Sequence, residues 1–400
     1  FFRAILCGVT CFIFAFPYSN LFFFLLYLKN RIFCVTMVLC GYRIMVCIIS
    51  ITKGIGEMKR KHKIFLTAVL TGVLLVCAGC VRIMTYTAVD TVMGTVSSQT
   101  IYSRGEEDCF TSEVKDLIVG LERDTLSWRV EGSEVARINA AAGSGAGVPV
   151  SERLYADLEV LLKLSEDSGG AFDITIRPVA ELWNIDGWAA EEDISGKQPV
   201  SIPTGEQIAR ALSYTGYEKV LLEDGAVALP EGMALDLGAA GKGIACDRAA
   251  LYLQSKYVQG AVVSVGGSVV TIGRKPDGTQ WQIGIVDPRD TSAFIGILYL
   301  EGTHFVSTSG DYERYVEVDG VRYHHILNPA TGYPAESGAR SVTILCDSGI
   351  LSDALSTACF VLGEEKGMAL AEAYGAEALF VDTEGNISMT EGMKQFFQER

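Results

Sequence analysis

The chain has 400 residues, with 33 Lys+Arg against 48 Asp+Glu and a formal net charge of −15. The first 79 residues hold 9 of the basic side chains and 1 of the acidic ones, so the remainder, with 24 and 47, carries −23. So acidic a surface repels a phosphate backbone and excludes DNA or RNA as a partner, while roughly 320 residues can bury one large core or two modest ones.

Residues 1–57 are crowded with Phe, Ile, Leu and Cys and carry no acid before Glu57. Segments 4–28 and 32–51 are apolar enough for membrane helices. The preferred reading is upstream DNA read through in frame, with translation starting at Met58; a native mass beginning inside 1–57 would end that idea. MKRKHKIFLTAVLTGVLLVCAGC, residues 58–80, has a basic start, an apolar run and small residues before Cys80. That is the layout of a secretory signal over 58–79, and CAGC is close to a lipobox that would place a lipid on Cys80. A plain membrane anchor is the alternative, although Ile64–Gly79 is short against the roughly 20 residues of a full crossing.

Residues 80–400 carry a run of predicted helices and hairpins. A strand pair turns at Gly94, a helix covers Glu113–Thr125, and Ser133 caps a short helix ending near Asn139. Ser151 caps an amphipathic helix that Gly169 and Gly170 stop. GEQIARALSYTG is a further helix, and EKVLLEDGAVALP is a hairpin turning at Asp224-Gly225. A helix over Gly243–Lys256 precedes the buried strand AVVSVGG; WQIGIVDP, FIGILYLEG and SVTILC are strands, and DALSTACFVLG is a helix. Without βαβ regularity the class is α+β. Cys109, Cys246, Cys346 and Cys359 lack any CxxC, so neither a disulfide framework nor a zinc site is expected.

Three stretches bear chemistry. In LDLGAAGKGIACD, Asp236 ends a strand, a glycine-rich turn follows, and Lys242 sits at the mouth of a helix. Such a helix start favours anions, although a ligand-free tight turn has the same pattern. In SDALSTACF, Asp353 and Thr357 are four apart and share a helix face; their oxygens suit Mg²⁺, while Asp353 as a plain first-turn acid is the simpler account. GGAFDITIRPVAELW puts Asp173 and Thr175 on alternate positions of a short strand, with Phe172 and Trp183 as aromatic surface for a planar ring or as core. Met93 in VMGT is open to the same two readings, packing or ligand contact.

Together these landmarks are more specific than any one of them. In order, MGT, SEVARIN, GGAFDIT, LDLGAAGKG, VSVGGSV, WQIGIVDP, STSGDYERY, YHHILNPATG and SVTIL followed by SDALSTA, the chain resembles the ApbE family of FAD:protein FMN transferases. The resemblance makes residues 80–400 one catalytic domain, and implies an ApbE-like, T-fold-related single domain of antiparallel sheets flanked by helices. It implies FAD contacts at Met93, Ala171, Phe172, Asp173, Asp236, Lys242 and Ile326, and a Mg²⁺ (or Mn²⁺) held by Asp353, Thr357 and the Ala239 carbonyl. His325 matches the family's base candidate, with Asn328 where an Asp is common. Asp311 either orients His325 or holds its own turn, and His324 points to the opposite face as a structural residue.

The implied reaction moves FMN from FAD to a Ser or Thr hydroxyl of an acceptor, with AMP leaving. The implied setting is the cell membrane, lipid-anchored with the domain on the extracytoplasmic face, and an acceptor flavoprotein subunit of an envelope electron-transfer system. The alternatives are an FAD pyrophosphatase giving FMN and AMP, or a flavin-binding lipoprotein without turnover.

Overall fold

The computed structural model describes residues 83–104, 110–185, 187 and 201–400 with their side chains, together with backbone strands inside residues 2–50. Two compact units divide the chain, Phe1–Val81 and Arg82–Arg400. In the first, strands Phe2–Leu6, Val9–Ala15, Leu21–Leu28, Arg31–Cys40 and Arg43–Ser50 pair as an antiparallel meander, so the segments read as candidate membrane helices run as strands. The signal-like stretch and Cys80 lie outside the described residues, as does Cys109. Among the described residues no helix is long and apolar enough to cross a membrane.

The second unit is organised by one eight-stranded sheet. Its strands are β1 (Met84–Val92), β2 (Thr95–Ser103), β3 (Gly260–Val265), β4 (Ser268–Gly273), β5 (His304–Gly310), β6 (Ala339–Cys346), β7 (Glu377–Asp382) and β8 (Ile387–Met389). They lie side by side in chain order, each antiparallel to the next. Helices and hairpins are therefore insertions between neighbours of one meander, which is why the sequence shows no βαβ rhythm.

Strand alternation explains the two faces. Ala261, Val263 and Val265 of β3, Val342 and Ile344 of β6, and Ala378 and Phe380 of β7 face the helices. Val306, Leu345, Leu379 and Val381 face the other way, onto a three-stranded sheet formed by Trp281–Asp287, Asp290–Leu300 and Phe397–Glu399. Burial on both faces is what makes AVVSV and SVTIL read as largely apolar runs, interrupted by Ser264, Ser341 and Thr343.

On the helical side lie α1 (Phe110–Leu121), α2 (Glu134–Ala140), α3 (Glu152–Asp167), α4 (Arg177–Trp183), α5 (Gly205–Leu212), α6 (Gly241–Ser255), α7 (Gly349–Leu362) and α8 (Glu364–Ala373). Ser133 and Ser151 cap α2 and α3 through side-chain oxygens, as their sequence positions predict. The Asp224-Gly225 turn has positive φ at both residues (48° and 74°), the geometry a two-residue hairpin needs. Two expectations change. GGAFDIT is a turn rather than a strand, because the Asp173 carboxylate takes the Thr175 N–H and hydroxyl at 2.8 and 2.6 Å and curls the chain into α4. The stretch before Asp236 is not a strand and joins no ladder; Asp236 N–H goes instead to the Ile174 carbonyl at 2.7 Å.

Candidate active site

A meander brings alternate turns to one end of its sheet. The β1–β2 turn at Met93–Gly94, the β3–β4 turn at Gly266–Gly267 and the last part of β5, Thr308 and Ser309, meet there. With the starts of α4 and α6 and one face of α7 they enclose a cavity of about 810 Å³. Met93, Ala171, Phe172, Asp173, Asp236, Ala239, Lys242, His325, Ile326, Asp353 and Thr357 all line it. Residues read from separate stretches of sequence thus share one space.

The crossing of α6 and α7 sets the polar end. A Cβ on Gly243 would lie 2.0 Å from the Gly349 carbonyl oxygen, so only glycine permits the approach. Close contact lets the Gly243 N–H donate to Asp353 Oδ2 at 2.9 Å. In an uninterrupted helix that amide would return to the carbonyl of Ala239; here it goes to Asp353, and among the described residues no backbone amide donates to the Ala239 carbonyl. Asp353 Oδ1 accepts from Ser268 Oγ at 3.1 Å and lies 3.6 Å from Lys242 Nζ. Thr357, one turn along α7, shares its hydroxyl with Ser309 Oγ at 3.2 Å.

The Gly266–Gly267 turn packs closely at the same end of the cavity. A Cβ on Gly266 (φ 57°) would meet Thr95 Oγ1 at 2.9 Å and Lys242 Cδ at 3.3 Å; one on Gly267 would meet the Thr308 carbonyl at 2.9 Å. Protein packing thus requires both glycines, and both also line the cavity beside the Lys242 charge and the α6 N-terminus, where an anion is favoured.

The paired histidines divide their work. His324 is buried, with Nε2 3.0 Å from the Ala335 carbonyl and Nδ1 accepting the Ile326 N–H at 3.3 Å, and it packs edge-on against Phe360. It is a latch for the chain on either side of His325. His325 is half-buried at the cavity wall. The Arg314 carbonyl receives its backbone N–H at 3.1 Å and Nδ1 at 3.2 Å, which assigns the ring proton to Nδ1 and leaves Nε2 as the basic nitrogen. Desolvation by the surrounding protein holds its pKa well below the ordinary value, and the Arg314 and Lys242 charges push the same way.

Asp311 requires a correction: of its two expected roles, orienting His325 is not the one it fills. Its carboxylate lies 2.8 Å from Arg340 Nε and 3.8 Å from Arg322 Nη1, its N–H bonds the Arg340 carbonyl, and it does not line the cavity. The β5–β6 pairing brings that guanidinium alongside, and a charged fork outcompetes a neutral imidazole for a carboxylate. Asp173 lines the cavity, yet its oxygens are taken by Thr175 and by the Tyr217 N–H at 3.1 Å; burial still raises its pKa. Trp183 reaches the cavity, but its ring is stacked on Tyr323 and its indole N–H bonds the Gly332 carbonyl at 2.7 Å.

Sequence reading missed the other end. After α1 the chain makes a π-helical turn, Glu122–Leu126, that swings Glu122, Trp128 and Arg129 into the lining. Glu122 accepts the Met93 N–H at 3.0 Å and steadies a non-glycine residue at φ 49°. Trp128 packs against both Arg129 and Arg177, whose guanidinium carbons are 3.9 and 3.1 Å from its ring centroid. No local motif marks these residues; the SWR triplet is their only trace in the sequence.

Comparison with known proteins agrees with this arrangement. Residues 93–380 match the model of the ApbE family. The chain is 35% identical over 337 residues to a FAD:protein FMN transferase of Treponema pallidum, covering 79% of this chain and 90% of that one. A Klebsiella pneumoniae protein of the same name is 35% identical over 314 residues, with 77% and 92% covered. Among solved structures, the ApbE protein of Thermotoga maritima superposes with a TM-score of 0.70 at 34% identity over 79% of this chain and all of that one. The apo flavinyl transferase ApbE of Pseudomonas stutzeri gives 0.68 at 32% over 79% and 97%. The chain belongs to the ApbE family.

Proposed function

We propose that the chain is a FAD:protein FMN transferase that uses a divalent cation, Mg²⁺ or Mn²⁺, at Asp353. The observation that carries the reading is the shared cavity: His325, Lys242, the Gly266–Gly267 turn, Asp353, Thr357 and Ala239 all line it. The donor set fits a hard cation, with a buried carboxylate, a hydroxyl and a carbonyl relieved of its helical donor. Among the described residues no group of three or more His, Cys, Asp or Glu is placed to hold a metal, so substrate phosphates would complete the shell. When bound there, the cation would neutralise charge on the diphosphate and on the departing AMP.

The chain's own residues supply the rest. The glycine turn, Lys242 and the α6 N-terminus hold the diphosphate. The hydroxyl oxygen of an acceptor Ser or Thr attacks the FMN-side phosphorus, the bond from that phosphorus to the bridging oxygen breaks, and AMP leaves with that oxygen. The hydroxyl proton goes to His325 Nε2. A depressed pKa keeps the imidazole neutral at pH 7, and the incoming anionic diphosphate offsets the Lys242 and Arg314 charges that depress it, which raises its basicity when substrate is bound.

In this reading Cys80 carries the lipid, the domain sits on the extracytoplasmic face of the cell membrane, and the acceptor is a flavoprotein subunit of an envelope electron-transfer system. Support comes from the signal-like layout of residues 58–80. The test is incubation with FAD, Mg²⁺ and an acceptor, with covalent flavin read by gel fluorescence. His325→Ala should bind FAD and lose transfer by about 100-fold or more. Wild-type transfer by that variant removes the assigned base, and AMP release without an acceptor, at the rate seen with one, replaces transfer by hydrolysis.

A further inference from the structure

We infer that Ser268, backed by Ser307 and Ser352, is a positioning residue for the Asp353 carboxylate. The three hydroxyls form a buried row that sets which carboxylate lone pairs face the cavity. The inference deepens the metal-assisted reading above and rests on it.

Ser268 stands at the cavity end of β4, where the positions alternating with it toward the helices, Val270 and Ile272, are apolar. Ser307 lies opposite it on β5, and Ser352 precedes Asp353 on α7. All three are at most 1% exposed. A buried hydroxyl costs free energy unless it is bonded, and alanine would occupy the same space without that cost. Each of the three is bonded to the next. Ser268 Oγ donates to Asp353 Oδ1 at 3.1 Å, Ser307 Oγ to Ser268 Oγ at 3.1 Å, and Ser352 Oγ lies 2.8 Å from Ser307 Oγ and 2.9 Å from the Gly349 carbonyl.

Each hydroxyl has one proton, so the row has two orders. In one, Ser352 donates to Ser307, Ser307 to Ser268 and Ser268 to Asp353. In the other, Ser307 donates to Ser352 and Ser352 to the Gly349 carbonyl, which leaves the Ser268 oxygen without a donor. A carboxylate charge selects the first, because every O–H dipole then points toward it and each bond polarises the next.

The row fixes the carboxylate in return. The terminal torsion of an Asp is broad and roughly two-fold, so the single Gly243 N–H on Oδ2 does not define it. A second donor on Oδ1 does. Each oxygen then has one lone pair committed to a fixed donor and one left for a cation.

The test titrates the full chain with Mn²⁺ alone, reading free Mn²⁺ by electron paramagnetic resonance, for wild type, Ser268→Ala, Ser307→Ala, Ser341→Ala and Asp353→Ala. Ser341 is the control, since it is buried in the same sheet and its Oγ has no hydrogen-bond partner among the described residues. Ser268→Ala should weaken Mn²⁺ about 10-fold, the scale at which outer-shell partners act, and Ser307→Ala by a smaller factor. Ser341→Ala should leave binding unchanged. In transfer assays Ser268→Ala should raise the Mg²⁺ requirement while kcat at saturating Mg²⁺ holds. Wild-type Mn²⁺ affinity in Ser268→Ala, with Asp353→Ala defective, overturns the inference and leaves the metal reading intact. An equal loss in Ser341→Ala overturns it too, as plain packing. Wild-type affinity in Asp353→Ala removes the metal reading and the inference together.

Discussion

The two ends of the cavity are built differently. At the polar end, Lys242, Asp353, Thr357 and the Gly266–Gly267 turn sit on helix starts, a helix face and a strand turn, each locked to its neighbour by backbone contact. At the aromatic end, Trp128, Arg129 and Arg177 come from the loop after a π-turn and the first residue of α4, and meet through their side chains, with Arg177 also paired to Glu181 at 3.3 Å. Placement of a reacting phosphorus tolerates little error, so rigid elements suit it. A stacking surface tolerates sliding, so side chains suffice there.

The largest expected effect breaks the polar end. Gly243→Ala places a methyl 2.0 Å from the Gly349 carbonyl and 2.7 Å from Asp353 Cβ. Both helices must part, at a cost of about 3 kcal/mol or more, and the Gly243 N–H leaves Asp353. A thermal melt should fall by several degrees and transfer by about 100-fold. Unchanged melting and transfer would show that the close crossing does not place Asp353.

Trp128→Ala probes the other end and should do less. Losing two cation–π partners corresponds to about 1–2 kcal/mol, roughly 10-fold in the KM for FAD, with kcat nearly preserved. A fall in kcat at constant KM would put Trp128 at the reacting centre and erase the contrast. Glu122→Gln is gentler still. It keeps an acceptor for the Met93 N–H but removes its charge, so KM should rise by about 3-fold.

That contrast also separates what the sequence announces from what it conceals. Asp353 and Thr357 declare a shared face through their spacing, and GKG after an acidic residue declares a helix start. Both are local facts, and both hold. GGAFDIT misleads for a physical reason: apolar and polar residues alternate as in a strand, but the period arises because Asp173 and Thr175 bond each other inside a turn. Asp311 misleads by proximity along the chain, when its true partner, Arg340, arrives through strand pairing. Trp128 and Arg177 meet only after α2 and α3 have intervened, and nothing in either segment refers to the other.

The smallest effect concerns the latch behind His325. Desolvation by burial lowers the His324 pKa below that of the unfolded chain, with the Arg322 charge acting the same way; protonation would also cost Nδ1 its role as acceptor for the Ile326 N–H. The unfolded state therefore binds the proton more readily. Stability from this residue is fully present above the ordinary histidine pKa of about 6.5 and is lost as pH falls from there through the folded value. A tenfold difference in proton affinity between the two states is worth about 1.4 kcal/mol, which urea unfolding at pH 7.5 and 5.5 resolves. His325 is lowered in the same way, while burial raises Asp157, Asp173, Asp247 and Glu313, whose contribution to stability runs in the opposite direction as pH falls. The observable is therefore a difference between variants, in which those contributions cancel. His324→Gln should lose stability at pH 7.5 and show a smaller further loss at pH 5.5 than wild type. An equal acid loss in both would mean that His324 does not change its proton affinity on folding, and the latch would then rest on its packing against Phe360 alone.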